Sequence, residues 1–479
     1  MASGVNGSPI KFGTDGWRGI IADDFTFQNV RICAQATARY FRETGLASRG
    51  VVVGYDTRFA SEGFAEAVAE VLTGNDIPVY LCDETAPTPV VGYSVLSRKA
   101  AGAVVITASH NPGAYSGFKV RTHEAGSAPP ETLARIEAYI PEAQASRPAR
   151  LTIEEARAKG LLEMINPRPA YIQHLANLVD LERLKKAGLL VVADSMHGAG
   201  AGYFREVLAG GDTVVMEIRS ERNPCFPDMH NPEPIPRNLE PAMDLVLEED
   251  AMLGLATDGD ADRIGVIDHH GKFVNQLLTF GLLAYYLLEE RGLRGPMVKS
   301  VTTTSMIWRL GELYGVPVHE TPVGFKHLGP KMIETDAIIA GEESGGFAFR
   351  GHLPERDGIL SGLYILDLVQ SRRKDLPALI EELFSSVGPH YYDRIDVRMS
   401  EEERRRVEET LPALEPKEIA GLAVTGYDRT DGLRFLLEDG AWALIRLSGT
   451  EPLMRIYAEV PRAELVQPVL NAVRRLAGS

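Results

Sequence analysis

The sequence predicts an α/β architecture of several domains, and three observations point to it. At 479 residues the chain is too long for one hydrophobic core and implies roughly three or four domains. Short β-branched or aliphatic runs alternate with longer helical patterns over most of that length, as α/β units with largely buried sheets require. Glycine is abundant, at 46 residues, which fits many tight loops between those elements.

The elements follow in order. "GVVVGYD" (Gly50 to Asp56) reads as a strand before the helical "SEGFAEAVAEVLTG". "AGAVVI" is a strand-like run that ends abruptly at "TASHNP" (Thr107 to Pro112). "GLLVVADS" (Gly188 to Ser195) precedes a glycine cluster and the helical "YFREVLAGG". "AMLGLATDGDADRIGVID" (Ala251 to Asp268) and "AIIAGEESGGFAF" (Ala337 to Phe349) each read as strand, loop, strand. Two boundaries show as composition shifts. "PEAQASRPARLTIEEARAKG" (Pro141 to Gly160) is polar, and Leu383 to Glu409 passes from helix to strand to charged helix. A third boundary falls near Asp268, where the strand pattern itself continues.

Composition removes several function classes. A net charge of −16 disfavours nucleic acid or an anionic membrane surface as the main partner. It leaves room for an anionic small substrate where basic residues gather locally. Three cysteines without close pairing, Cys33, Cys82 and Cys225, argue against a disulfide framework or a structural zinc site and for a reducing, cytoplasmic setting. The opening "MASGVNGSPIKFG" has no apolar core, so no signal peptide is expected. "LLTFGLLAYYLL" (Leu277 to Leu288) is too short to span a bilayer and reads as a buried helix.

Four loops carry candidate chemistry. Asp258, Asp260 and Asp262 in "DGDADR" are spaced by two, so looped backbone can converge three hard oxygens on Mg²⁺ or Ca²⁺. An EF-hand is excluded, because Arg263 stands where its glycine and His269 where its glutamate would be. "TASHNP" presents a hydroxyl and an imidazole at a strand end. Alone, Ser109 reads as a turn or cap serine; beside a metal loop it reads as a nucleophile. "GEESGG" (Gly341 to Gly346) could read a polyol with Glu342 and Ser344. It is no nucleophile elbow, since Glu342 occupies the first glycine position. In "RLSGTEPLMRIYAE", Ser448, Gly449 and Thr450 between Arg446 and Arg455 could cradle a phosphate. Arg18, Lys119, Arg263 and Lys326 are basic residues available to an anionic substrate, and Gly324 is a further binding candidate. "HGAGAGYF" (His197 to Phe204) has Tyr203 in place of the third dinucleotide glycine, and no Walker A sequence is present.

In this order the loops closely resemble the α-D-phosphohexomutase superfamily, over nearly the whole chain. "FGTDGWRG" (Phe12 to Gly19) is similar to its opening, "TASHNPGAYSGFK" to its phosphoserine loop and "DGDADR" to its metal loop. "GEESGG" is similar to its sugar-binding loop and "RLSGTEP" to its phosphate-binding loop. The resemblance implies four domains around a central cleft. Three would be topologically related α/β domains with mixed sheets (1–150, 151–270 and 271–386), and the fourth a smaller, mobile α+β domain (387–479). It also implies that Ser109 carries a phosphoryl group and that Mg²⁺ sits on that phosphate with Asp258, Asp260 and Asp262. Glu342 and Ser344 would read sugar hydroxyls, and Arg446, Ser448, Gly449 and Thr450 would clamp the non-reacting phosphate. His110 and Lys119 become the acid/base candidates, with no division of labour fixed between them, and Arg263 joins Lys119 in stabilising charge.

Two departures from common family patterns stand out: Ser116-Gly117 replaces Asn-Gly before Lys119, and Gly346 stands where mannose- and glucosamine-type members tend to have histidine. The second favours glucose. The expected reaction is then interconversion of glucose 1-phosphate and glucose 6-phosphate through glucose 1,6-bisphosphate. A monomer or homodimer would serve it. The alternatives are a phosphomannomutase or phosphoglucosamine mutase of the same superfamily, a Mg²⁺-dependent sugar phosphatase, or a non-catalytic sugar-phosphate sensor.

Overall fold

The computed structural model describes residues 10–13, 15–448 and 453–478. Among these, four sheets follow one another along the chain. The first runs Trp17–Ile20, Tyr115–Arg121, Gly102–Ile106, Val51–Tyr55, Val79–Cys82, Leu162–Ile165 in spatial order. Its last four strands are parallel and its first two antiparallel. Leu162–Ile165 lies past residue 150, so the polar stretch 141–160 is spent inside this unit: it ends one helix (Pro130–Ala145) and forms another (Ile153–Ala158).

The second sheet has the order Phe273–Val274, Ile264–Asp268, Leu253–Thr257, Leu190–Asp194, Val214–Ile218, and the third Val318–Thr321, Met297–Ser300, Ile339–Gly341, Phe347–Phe349. Both repeat the motif of the first. A parallel core strand turns back on itself to give one antiparallel neighbour: Gly102–Ile106 into Tyr115–Arg121, Leu253–Thr257 into Ile264–Asp268, Ile339–Gly341 into Phe347–Phe349. The three turns are the "TASHNP", "DGDADR" and "GEESGG" loops. Each leaves the carboxyl end of a parallel strand, where open α/β sheets place their ligands.

The core strands are buried on both faces and therefore read as apolar runs rather than alternating ones: Val51–Tyr55, Gly102–Ile106 and Leu253–Thr257 are buried at every position. The second and third units share one continuous core from Tyr171 to Val387, into which the helix Gln276–Tyr285 is sunk. The fourth sheet is wholly antiparallel, Tyr391–Arg398, Leu453–Val460, Trp442–Leu447, Leu433–Leu437, Leu422–Asp428, Glu418–Ile419. Its outer strand alternates exposed and half-buried residues, and the amphipathic helix Val466–Leu476 covers the other strands through Val466, Val469, Leu470 and Val473. No helix among the described residues is long and apolar enough to cross a membrane.

Candidate active site

Ser109 sits on a strained turn held from below. Its φ is +52°, a left-handed conformation that costs a non-glycine residue on the order of 1–3 kcal/mol and persists only where its surroundings over-determine it. Arg58, wholly buried, supplies that determination. Its Nη2 donates to the Ser109 and Asn111 carbonyls at 2.6 Å each, and its Nη1 to those of Pro112 and Tyr115 at 2.8 and 2.9 Å. Asp56 neutralises it through Nε at 3.0 Å and also accepts from Thr107 Oγ1 at 2.6 Å. Thr107 Oγ1 in turn accepts from the Ser109 amide at 2.8 Å. Gly117 is required beside this turn, because a Cβ there would stand 2.4 Å from the Thr107 carbonyl oxygen. The serine hydroxyl takes no part in holding the turn and donates to the buried Asp258 Oδ2 at 2.9 Å.

Asp258, Asp260 and Asp262 are all fully buried, and one oxygen of each lies within 4.8 Å of the others. Burial pushes the Asp258 carboxyl well above the usual carboxylate range, and its two neighbours add to that; burial raises Asp262 as well. Burial would raise Asp260 too, but Lys119, with hydrogen bonds from Lys119, Thr88 and Ser109, pulls it below that range. Asp260 Oδ1 and Asp262 Oδ1 have no hydrogen-bond donor among the described residues. Three converging buried carboxylates with orphaned oxygens fit a hard divalent cation, whose charge would relieve their repulsion.

The glycine cluster "HGAGAG" packs against this loop. A Cβ at Gly198 would lie 2.9 Å from the Asp258 and Gly259 carbonyl oxygens, and one at Gly200 2.5 Å from Thr257 Oγ1. Its glycines serve close approach of two backbones.

A cationic layer surrounds the carboxylates. Lys119 Nζ contacts Asp260 at 2.8 Å, Asp15 at 3.0 Å and Asp262 at 3.5 Å. Burial alone would lower its pKa, but Asp15, Asp260 and Asp262 together raise it. Arg356 reaches Asp262 at 2.8 Å, Asp15 at 3.1 Å, Glu355 at 3.1 Å and Glu342 at 3.5 Å. Arg263 pairs with Glu233 at 3.1 Å. Arg18 donates to the Asn111 side chain on the serine turn. His110 is drawn in by Asn231, which donates to its carbonyl at 2.9 Å, while its ring Nδ1 has no partner among the described residues. Burial, then the cations Arg263, Arg18, Lys119 and Arg356, hold that imidazole well below its ordinary pKa.

The sugar-loop candidates close the same space. Glu342 is buried beside Arg356, its carboxyl raised by burial against the pull of that guanidinium, and Ser344 Oγ lies 3.3 Å from it. Gly345 accepts from the Ile264 amide at 3.0 Å, which fastens this turn to the strand after the three-aspartate loop. At Gly346 a Cβ would fall 2.2 Å from Arg356 Cδ, so the missing side chain is what lets Arg356 pass to Asp262.

In the fourth sheet Arg446 and Arg455 are cross-strand partners. Arg446 is tied at 2.9 Å to Asp431, whose other oxygen accepts from the Val323 amide at 3.0 Å, one residue before Gly324. Gly324, at φ +119°, opens the helix Phe325–Thr335 and puts Lys326 in its first turn. Ser448 adjoins these strands, its carbonyl accepting from Arg404 at 2.8 Å. Gly449 and Thr450 lie outside the described residues.

Sequence reasoning missed Asp15, Asp56, Arg58, Glu233, Glu355, Arg356 and Asp431. Asp15 lies within the quoted "FGTDGWRG", and Arg356 in "ERDG" was a charged run ahead of a helix with no visible partner. The others carried no signal short of the fold.

The chain matches the four family models described as phosphoglucomutase/phosphomannomutase domains I, II, III and the C-terminal domain over residues 9–147, 169–271, 276–387 and 395–476. It is 32% identical to a protein named phosphoglucomutase/phosphomannomutase from Thermococcus kodakarensis, covering 96% of each chain. A relative named "Probable phosphoglucosamine mutase" from Methanothermobacter thermautotrophicus is also 32% identical, over 94% of each chain. The crystal structure of a protein described as a "putative phosphomannomutase" from Thermus thermophilus superposes with a TM-score of 0.86 at 37% identity, covering 99% of this chain and 100% of that one. The chain belongs to the phosphoglucomutase/phosphomannomutase family, within the α-D-phosphohexomutase superfamily.

Proposed function

We propose that this phosphohexomutase interconverts glucose 1-phosphate and glucose 6-phosphate through a phosphorylated Ser109 and a glucose 1,6-bisphosphate intermediate. The observation that carries the reading is the Ser109 hydroxyl 2.9 Å from Asp258, inside a buried three-aspartate cluster. Asp258, Asp260 and Asp262 would hold Mg²⁺, which when bound neutralises the charge of the transferring phosphoryl oxygens.

The chain's own residues supply the rest. The turn pinned by Arg58 keeps Ser109 aimed at the cleft, so little reorganisation is needed when its phosphoryl group passes to the free sugar hydroxyl. His110, with its unpartnered Nδ1, takes the proton that hydroxyl loses as its oxygen bonds phosphorus and the Ser109 Oγ–P bond breaks. Lys119, held charged by Asp15, Asp260 and Asp262, stabilises the oxyanions of the transfer together with Arg263. Glu342 and Ser344 hold the sugar hydroxyls. Arg446, Arg455, Ser448, Gly449, Thr450 and Lys326 receive the phosphate that is not reacting, while Arg18, beside Asn111 on the serine turn, faces the reacting one. After the bisphosphate reorients, its other phosphoryl group returns to Ser109, His110 gives back the proton, and glucose 6-phosphate leaves.

Glucose is placed first because Gly346 leaves no side chain on the sugar loop and Arg356 fills the space. The relative named for phosphoglucosamine makes the amino sugar the second reading. A coupled assay on glucose, mannose and glucosamine 1-phosphates, with and without glucose 1,6-bisphosphate, separates them. Fastest turnover on glucosamine 1-phosphate would replace the glucose reading with the second.

A further inference from the structure

Glu342 and Glu343 are chain neighbours that face different partners. Glu342 lies against Arg356, which also reaches Asp262 of the aspartate cluster. The Glu343 carboxylate turns to the fourth domain, accepting from the Tyr392 hydroxyl at 2.8 Å and from Arg394 Nη1 at 2.8 and 3.2 Å. These are charge-assisted contacts at a largely buried place, with the Glu343 side chain 14% exposed. The turn that presents Glu343 is itself fixed: Glu342 N donates to Gly346 O, Gly345 N to Glu342 O, and Ile264 N to Gly345 O. Glu343 is therefore a stationary hook on the body of the molecule, and Tyr392 and Arg394 belong to the part it holds.

A second clasp joins the same two domains elsewhere. Glu320 takes Lys299 Nζ at 2.7 Å and both terminal nitrogens of Arg434. In the third sheet Glu320 lies on the edge strand Val318–Thr321, two strands from Ile339–Gly341, which leads into Glu343. In the fourth, Arg434 on Leu433–Leu437 is three strands from Tyr391–Arg398, which carries Tyr392 and Arg394. At about 4.8 Å per strand the clasps stand roughly 10–14 Å apart. Between them, on or beside the intervening strands, lies an apolar cluster of Val301, Trp442, Leu444 and Tyr457. The two polar clasps flank this apolar pivot, the Ser305 amide also reaching Glu459 at 2.7 Å and the Val323 amide Asp431 at 3.0 Å between the same domains, and the chain crosses between the domains at residues 388–390, next to the Glu343 clasp.

We propose that Glu343 is a positioning residue: by clasping Tyr392 and Arg394 it holds the fourth domain over the cleft that Glu342 lines, so that the sugar-binding turn and the phosphate-holding domain keep one geometry. The functional consequence rests on the mutase reading; the mechanical one does not. With the clasp released, the domain rocks away about the apolar pivot and a bisphosphate intermediate escapes more readily.

Two measurements test this on the full chain. Nitroxide labels at Lys159→Cys and Glu464→Cys, in a Cys225→Ser background because Cys225 is the exposed native thiol, report the distance between the first and fourth domains by pulsed electron resonance. Glu343→Gln, which keeps shape and removes charge, is expected to shift the distribution to longer distances. Tyr392→Phe should shift it the same way by less, and Glu320→Gln should not lengthen it. In turnover, Glu343→Gln is expected to need roughly tenfold more glucose 1,6-bisphosphate for half-maximal rate, the scale of one charge-assisted contact. An unchanged distribution in Glu343→Gln, or an equal lengthening in Glu320→Gln, overturns the clasp. A protein that shows the distance shift yet turns over no hexose phosphate keeps the clasp and loses the mutase reading. An active mutase without the shift does the reverse.

Discussion

Ser109 Oγ donates to Asp258 Oδ2 at 2.9 Å across 149 positions of sequence. The two residues lie at the ends of equivalent strands in successive domains, each at the point where a parallel strand turns into its antiparallel neighbour. The pairing of the proposed nucleophile with the candidate metal loop is therefore a product of how two similar sheets face each other, and its chemistry can be tested from either side.

Removing the hydroxyl is the first test. Ser109→Ala should cost on the order of 10³-fold or more in turnover while the fold holds, because Arg58 contacts the backbone of the turn and not the serine side chain. Intact-mass measurement should find a single phosphate on the wild-type chain and none on the variant. An alanine variant of ordinary activity would remove the phosphoserine mechanism.

Metal dependence follows from the orphaned carboxylate oxygens. Chelation should abolish turnover, and Mg²⁺ should restore it better than Ca²⁺, which accepts looser and longer coordination. Asp260→Asn removes one of three charges and unbalances Lys119, so titration of rate against Mg²⁺ should show a large rightward shift or a severe loss of rate. Wild-type rates at low Mg²⁺ would refute the ligand assignment.

Arg446 tests the proposed hold on the distal phosphate. Arg446→Ala should raise the Michaelis constant in both reaction directions by about an order of magnitude, as loss of a charge-assisted contact worth roughly 1.5–3 kcal/mol implies. It should also make the rate depend more steeply on added glucose 1,6-bisphosphate. A phosphatase, with no intermediate to retain, predicts superimposable curves for the two proteins.

The buried Arg58 should matter to folding and to rate together. Arg58→Met strands Asp56 as an unpaired buried charge, a change that typically costs about 3–5 kcal/mol. Thermal melts should show a large drop, and the surviving folded protein should turn over slowly because the left-handed Ser109 has lost its four-carbonyl anchor. Asp56→Asn should be milder in stability but still slow. Full activity in both variants would show that the turn holds itself.

A pH effect is expected away from the cleft. His174 Nε2 lies 3.1 Å from His352 Nδ1, whose ring passes the chain on to Asp357 at 2.7 Å, and Tyr93 stacks on His174 at 4.4 Å. Burial, then the neighbouring His352, lowers the His174 pKa from 6.5 to about 4. Below pH 6.5 the unfolded chain takes up a proton that the folded chain refuses, so this contribution to stability is intact above pH 6.5 and drains away as pH falls toward 4. His174→Phe, which keeps the stack, should flatten the change in melting temperature between pH 7 and pH 5. An unaltered slope would place the acid sensitivity elsewhere.

The sequence by itself determined the elements and the loops between them. Apolar runs such as "GVVVGYD" and "AMLGLAT" are long enough and β-branched enough to be buried strands wherever they lie, and "DGDADR" brings its own carboxylates together through local spacing. The family resemblance also lay in these local words, so the fold class and the phosphohexomutase assignment were legible before any contact was known. Only the tertiary structure decided what balances the charges. Asp15, Glu342 and Asp262 converge on Arg356 from three domains, Arg58 gathers four carbonyls from a turn about fifty residues on, and Glu343 faces a domain whose strand starts 48 positions later. Such partners have no periodicity or spacing to reveal them, because Coulomb energy depends on distance in space and on local dielectric, and both are set by how the four sheets pack.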